Sequence, residues 1–139
     1  MGLGKYKEAL YDFSVAIQLE KRLDDQADKK KMSDAYCYAG QCHFEMEQFD
    51  MALAHLEKAC LFERENGRNL FYRALAKSRM ANGVRQKYED ANEDFKFAFK
   101  EFQNDVTTKF FIRFNMGINL RLLQKYEESA DMLRQAIEL

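Results

Sequence analysis

The sequence predicts an all-α protein built from antiparallel helix pairs stacked in series. Two observations carry that expectation. The first is a pattern that occurs four times: Tyr6-Ala9-Phe13-Ala16, Phe49-Ala52-Leu56-Ala59, Tyr88-Ala91-Phe95-Ala98 and Tyr126-Ser129-Leu133-Ala136. Each copy has the spacing 3, 4, 3, one face of a 3.6-residue helix, and successive copies begin 43, 39 and 38 residues apart. The second is composition. Among 139 residues there is no proline, so no helix loses a backbone donor, and Val and Thr are too scarce for alternating strands.

Taken in order, the chain opens inside a helix pair. Gly4-Lys5-Tyr6-Lys7-Glu8-Ala9-Leu10 reads as the turn and second helix of an incomplete first repeat, residues 1–23. The chain therefore reads as a piece of a longer protein. Lys21 to Ser33 is the most polar stretch. Lys29-Lys30-Lys31 stands beside Asp24, Asp25 and Asp28, so the reading is a solvated extension rather than a basic docking patch. Ser33 or Asp34 is the expected N-cap of the next helix.

Helices over 34–46 and 49–65 make the second repeat, with Asn66-Gly67 as the expected left-handed stop. Helices over 69–82 and 87–103 make the third. Its first helix closes at Asn82-Gly83, and Val84-Arg85-Gln86 reads as an insertion ahead of Tyr88. The fourth repeat covers 107–139, with Thr107 or Thr108 as the expected cap. Two helices approach closely only where one side chain is nearly absent. The expected crossings are Gly40 with Ala52, Ala76 with Ala91, and Gly117 with Ser129 or Ala130.

These motifs resemble the tetratricopeptide repeat, whose second helix carries an A-x3-F signature. The resemblance covers the whole chain. It is to the long variant of the family, found in Pins-type polarity scaffolds, since the inter-repeat proline is missing and the repeats exceed the usual roughly 34 residues. It implies an α-solenoid of about three and a half repeats. It also implies a concave groove, lined by the first helices, that holds a partner peptide or helix. The groove residues implied in the second repeat are Asp34, Cys37, Gln41 and Phe44. In the third they are Leu70, Arg73, Lys77 and Met80, and in the fourth Phe111, Phe114, Ile118 and Arg121.

Arg73 and Lys77 are the expected carboxylate contacts, and Phe114 with Ile118 the expected apolar anchor site. One subfamily binds acidic C-termini through a clamp of Lys, Asn, Asn, Lys and Arg. Here Arg73 takes the place of its first Lys, Lys77 that of its first Asn and Asn115 that of its second, a partial match.

Catalysis finds little support. His43 reads as a packed histidine and His55 as solvent-facing. Cys37 and Cys42 are spaced too far apart for a tetrahedral pair, so no metal is expected. There is no P-loop, no G-x-G-x-x-G and no G-x-S-x-G, so neither enzyme activity nor a cofactor is expected. Net charge is -1, which gives no drive toward nucleic acid or anionic lipid. No apolar run reaches the length of a membrane span. Cys37, Cys42 and Cys60, an odd count without framework spacing, read as reduced thiols of an intracellular, cytoplasmic protein.

The expected role is a protein-binding scaffold or adaptor. The alternatives are an architectural segment of a large assembly, ciliary or transport, and an accessory domain of a larger enzyme or regulator. Self-association through uncapped ends is expected, because the last helix offers Met132, Leu133, Ile137 and Leu139.

Overall fold

The computed structural model describes residues 3–22 and 28–139, and those residues form seven α-helices and no strand. The helices are α1 (Leu3–Arg22), α2 (Lys29–Glu45), α3 (Phe49–Phe62), α4 (Gly67–Arg79), α5 (Arg85–Glu101), α6 (Val106–Leu122) and α7 (Tyr126–Ile137). The expected helix end at Leu23, and Asp24-Asp25 in the polar stretch, lie outside the described residues.

Neighbouring helices run antiparallel. Tyr36 near the start of α2 stacks on Phe62 at the end of α3, while Phe44 at the end of α2 meets Phe49 at the start of α3. Gly67 lies against Glu101 across α4 and α5, and Gly117 lies against Leu133 across α6 and α7. The core is a seam passed from pair to pair. Met32, Tyr36 and Cys37 of α2 pack on Ala52, Leu56 and Ala59 of α3, with Ile17 of α1 on one side and Ala76 of α4 on the other. The next cluster joins Leu70 and Ala74 to Ala91, Phe95 and Ala98. It takes Cys60 from the pair before and Ile112 with Met116 from the pair after.

Helix starts differ from the expected ones, and each difference has a local cause. Asp28 caps α2 by accepting from the backbone N–H groups of Lys30 and Lys31, one turn before Ser33, which is buried instead. Asn66 is not a stop. Its side chain accepts from the N–H of Asn69 and starts α4, with Gly67 as the first helical residue. Gly67 is needed there for space, since a Cβ would lie 2.6 Å from the Cβ of Glu101. Asp105, not a threonine, caps α6, and Thr108 donates its hydroxyl to the same carboxylate at 2.7 Å.

The turns set the register of the pairs. After α2, Gln48 N–H bonds the carbonyl of His43 and Glu47 N–H that of Phe44, with Glu47 left-handed at φ 61°. After α6 the same bonds run from Lys125 to Leu120 and from Gln124 to Arg121, with Gln124 at φ 63°. Both are Schellman closures. The α4–α5 turn is different: Asn82 and Gly83 are both left-handed, and α5 begins at Arg85. The insertion read at Val84-Arg85-Gln86 is therefore mostly an added first turn of α5, since α3 and α7 begin at the aromatic itself.

That added turn is poorly capped. Val84 sits at the N-cap with no side chain to accept from the helix. Val84→Asp is expected to raise unfolding free energy by about 1 kcal/mol in chemical denaturation, with an unchanged denaturant slope.

Candidate functional site

Helices α2, α4 and α6 lie side by side. Arg68 of α4 pairs with Asp34 of α2 and stacks on Tyr38, and Asn119 of α6 donates to Ser78 of α4. The backbone fixes which residues are equivalent. Met46 N–H bonds Cys42 O, Met80 N–H bonds Ala76 O, and Leu123 N–H bonds Asn119 O. Cys42, Ala76 and Asn119 therefore hold one place, and Gly40, Ala74 and Gly117 another two residues earlier.

Gly40 backs onto Leu56 and the carbonyl of Ala52, and Gly117 onto Leu133 and the carbonyl of Ser129. Ser129 donates its hydroxyl to Gly117 O at 2.7 Å. Ala130 is exposed and takes no part. Ala74, not Ala76, packs with Ala91, while Ala76 belongs to the cluster of Ala52, Leu56 and Ala59. The longer α4–α5 turn and the added turn of α5 moved α4 back by two residues from its expected place.

Two residues are about 200° of helix rotation, enough to exchange one face for the other. Arg73 and Lys77 consequently point at α5. Asp94 receives Arg73 through two bonds, Nε at 2.8 Å and an Nη at 2.9 Å, and Lys77 Nζ at 2.9 Å. The Asp94 side chain keeps 8% of its surface. The Arg73 guanidinium is held further toward its charged form, first by the hydrogen bonds to Asp94. Both cations expected to meet a partner's carboxylate are thus paired with Asp94 of the same chain. Met80, also assigned to the groove, caps α4 and is half-buried in the turn.

The open face of α4 instead carries Tyr72, Leu75 and Arg79, the equivalents of Tyr38, Gln41 and Glu45 on α2. On α6 the same rows hold Asn115, Ile118 and Leu122. Gln41 is half-buried and donates to the sulfur of Cys37. Phe44 is half-buried against Phe49, and the Arg79 guanidinium lies over both rings at 5.6 and 5.8 Å. Phe111, Phe114, Ile118 and Leu122 form an exposed stripe down α6, with Phe111 at 48%. Phe110 stacks on Phe114 from the side, and Asn115 donates to the carbonyl of Phe111. Arg121 is exposed near the end of the stripe.

Other chemistry-bearing groups are packed. His43 is buried and paired with Gln48 at 2.8 Å. His55 is not solvent-facing. It is half-buried, 4.8 Å from the His43 ring, and burial followed by the charge of His43 depresses its pKa, against a hydrogen bond to Met51 O. Burial pushes the thiols of Cys37, Cys42 and Cys60 above their ordinary range. Among the described residues no group of three or more His, Cys, Asp or Glu could hold a metal ion. No described helix is long and apolar enough to cross a membrane. The stripe foreseen on α7 is half covered: Met132 and Leu133 pack under α6, while Ile137 and Leu139 stay exposed. No family model and no curated protein matches the chain.

Asp94 is the residue that sequence reasoning missed. It stands one residue before Phe95 of the repeated pattern, where α3 has His55 and α7 has Met132. Asp12 of α1 holds the same place before Phe13, so an acid there carried no distinct signal in the sequence. Asp94→Ala is expected to lower stability by about 2–4 kcal/mol, because it strands two half-buried cations. The triple change Arg73→Met, Lys77→Leu, Asp94→Met installs the residues that α6 and α7 carry at these places. It is expected to recover most of that loss in the same denaturation experiment.

Proposed function

We propose that this chain is a non-catalytic protein-binding scaffold of the tetratricopeptide type, a stack of about three and a half helix pairs that holds a partner segment on the face of α2, α4 and α6. The observation that carries this reading is the stripe of Phe111, Phe114, Ile118 and Leu122. Large apolar side chains aligned on a helix and left in water mark an interaction surface. Polar recognition falls to Arg79 and Arg121, which have no carboxylate partner among the described residues. Tyr38, Tyr72 and Leu75 extend the apolar surface across the row. A partner with large apolar anchors and an acidic group fits this face. Neither a cofactor nor nucleic acid enters the reading, and the setting it suits is an intracellular complex.

A second reading, an architectural segment held through its outer side, is favoured by Leu61 and Phe97, exposed at 81% and 55% on α3 and α5.

Quantitative capture from a source lysate separates the two. Phe114→Ala with Ile118→Ala is expected to speed partner dissociation, at a cost of roughly 2 kcal/mol or more. Arg79→Glu with Arg121→Glu is expected to slow association and reduce its salt dependence. Leu61→Ser with Phe97→Ser should leave capture unchanged. Capture that survives the first two variants and fails with the third supports the architectural role.

A further inference from the structure

A second groove lies on the other side of α6, between α5 and α7, with a cavity volume of about 640 Å³. Its floor is apolar. Met116 and Leu120 of α6 and Met132 of α7 line it, the places held in the preceding pair by Arg73, Lys77 and Asp94. Where that pair closes its crossing with an ion triad, this one leaves thioether and aliphatic groups facing the cavity. Met132 and Leu120 are only half-buried. Methionine is unbranched and polarisable, and adapts to varied apolar anchors.

The walls are acidic. Asp90 and Glu93 stand on the α5 side, Glu128 and Asp131 on the α7 side, with Lys96 and Lys125 the cations of the lining. Glu128 has no cation partner among the described residues, and Asp90 accepts only from Gln86. The pairs Lys96–Glu93 and Arg134–Asp131 are exposed contacts within one helix, weak enough for an incoming cation to displace. Asn92 lines the cavity and keeps only 8% of its surface, with its Oδ1 accepting from Asn119 at 2.9 Å.

We propose that the α5–α7 groove docks a lysine- and arginine-rich segment of a partner protein that carries large apolar anchors. The anchors seat on Leu120 and Met132. The cations lie between the two carboxylate walls. This site is separate from the α2–α4–α6 face and does not depend on it.

The test uses the whole chain and three short synthetic peptides: an amphipathic Lys–Leu peptide, its Glu–Leu counterpart and a Lys–Ser peptide. Fluorescence anisotropy reads affinity, and methyl-labelled methionine NMR reads location. The Lys–Leu peptide should bind in a salt-sensitive manner and shift the Met116 and Met132 methyl signals. Glu128→Lys with Asp131→Lys should weaken it about tenfold or more, as should Leu120→Gln. Ile118→Glu on the opposite face should not. Circular dichroism of each variant confirms folding. Equal binding of the Lys–Ser peptide overturns the proposal as charge alone, and equal binding of the Glu–Leu peptide overturns it as apolar adhesion. Methyl shifts confined to other methionines overturn the location.

Discussion

Everything in this fold follows from how closely the two helices of a pair can approach. Gly40, Ala74 and Gly117 occupy one place on the first helices, opposite Ala52, Ala91 and Ser129 of the second. At Gly40 the space left is smaller than a methyl group, since a Cβ would sit 2.6 Å from Leu56 Cγ and 3.3 Å from Ala52 O. That approach buries Leu56, Phe95 and the alanines around them completely. The apolar seam can then be handed from each pair to the next without a void. Propensity alone would favour Ala over Gly here by about 1 kcal/mol, so packing overrides the local preference.

Once the approach is set, the neighbouring places are free to vary, and they do. One place on the first helix and one on the second face each other in every pair. They are His43 with His55, Lys77 with Asp94, and Leu120 with Met132. The first is a ring contact in which burial depresses the pKa of His55, the second an ion pair and the third an apolar surface opening on a cavity. A common frame thus carries three chemistries. The middle pair joins its charges to one another, so Arg73 and Lys77 are already engaged by Asp94. The last pair leaves apolar side chains open on both sides of α6, Phe111 and Phe114 on one and Leu120 and Met132 on the other. Helix α6 is therefore the element around which the proposed binding is arranged.

Much of the helical order was legible. The pattern of Phe49, Ala52, Leu56 and Ala59 and its copies located the second helices, because most of those side chains are buried at helical spacing in α3, α5 and α7, whereas in α1 none is fully buried and Ala16 is exposed. Gly40 and Gly117 were legible as crossing points for the same reason. What was not legible was the rotation of α4. It depends on the length of one turn and on where α5 starts, and Val84, a poor cap, gives no local sign that a helix begins there. The error carried Ala76 into the wrong crossing and Arg73 and Lys77 onto the wrong face. On α6, whose turn matches that after α2, Phe111, Phe114, Ile118 and Arg121 were placed on the exposed side. Caps were misassigned where two candidates stood close together. Asp105 won over Thr107 and Thr108 because a carboxylate accepts from helix N–H groups more strongly than a hydroxyl, and Asp28 starts α2 early enough that Ser33 is buried inside the helix and Asp34 pairs with Arg68.

The most direct measurement of the close-approach constraint is a double-mutant cycle between Gly40 and Leu56, read by chemical denaturation. Gly40→Ala in the natural chain should destabilise by about 1–2 kcal/mol, because the added methyl group overpacks a fully buried leucine. With Leu56→Ala already in place the leucine is gone and only the carbonyl of Ala52, 3.3 Å from the new Cβ, still crowds it, so the same change should stabilise by up to about 1 kcal/mol through helix propensity. That reversal of sign is the predicted result. Gly40→Ala having the same sign in both backgrounds would contradict the account.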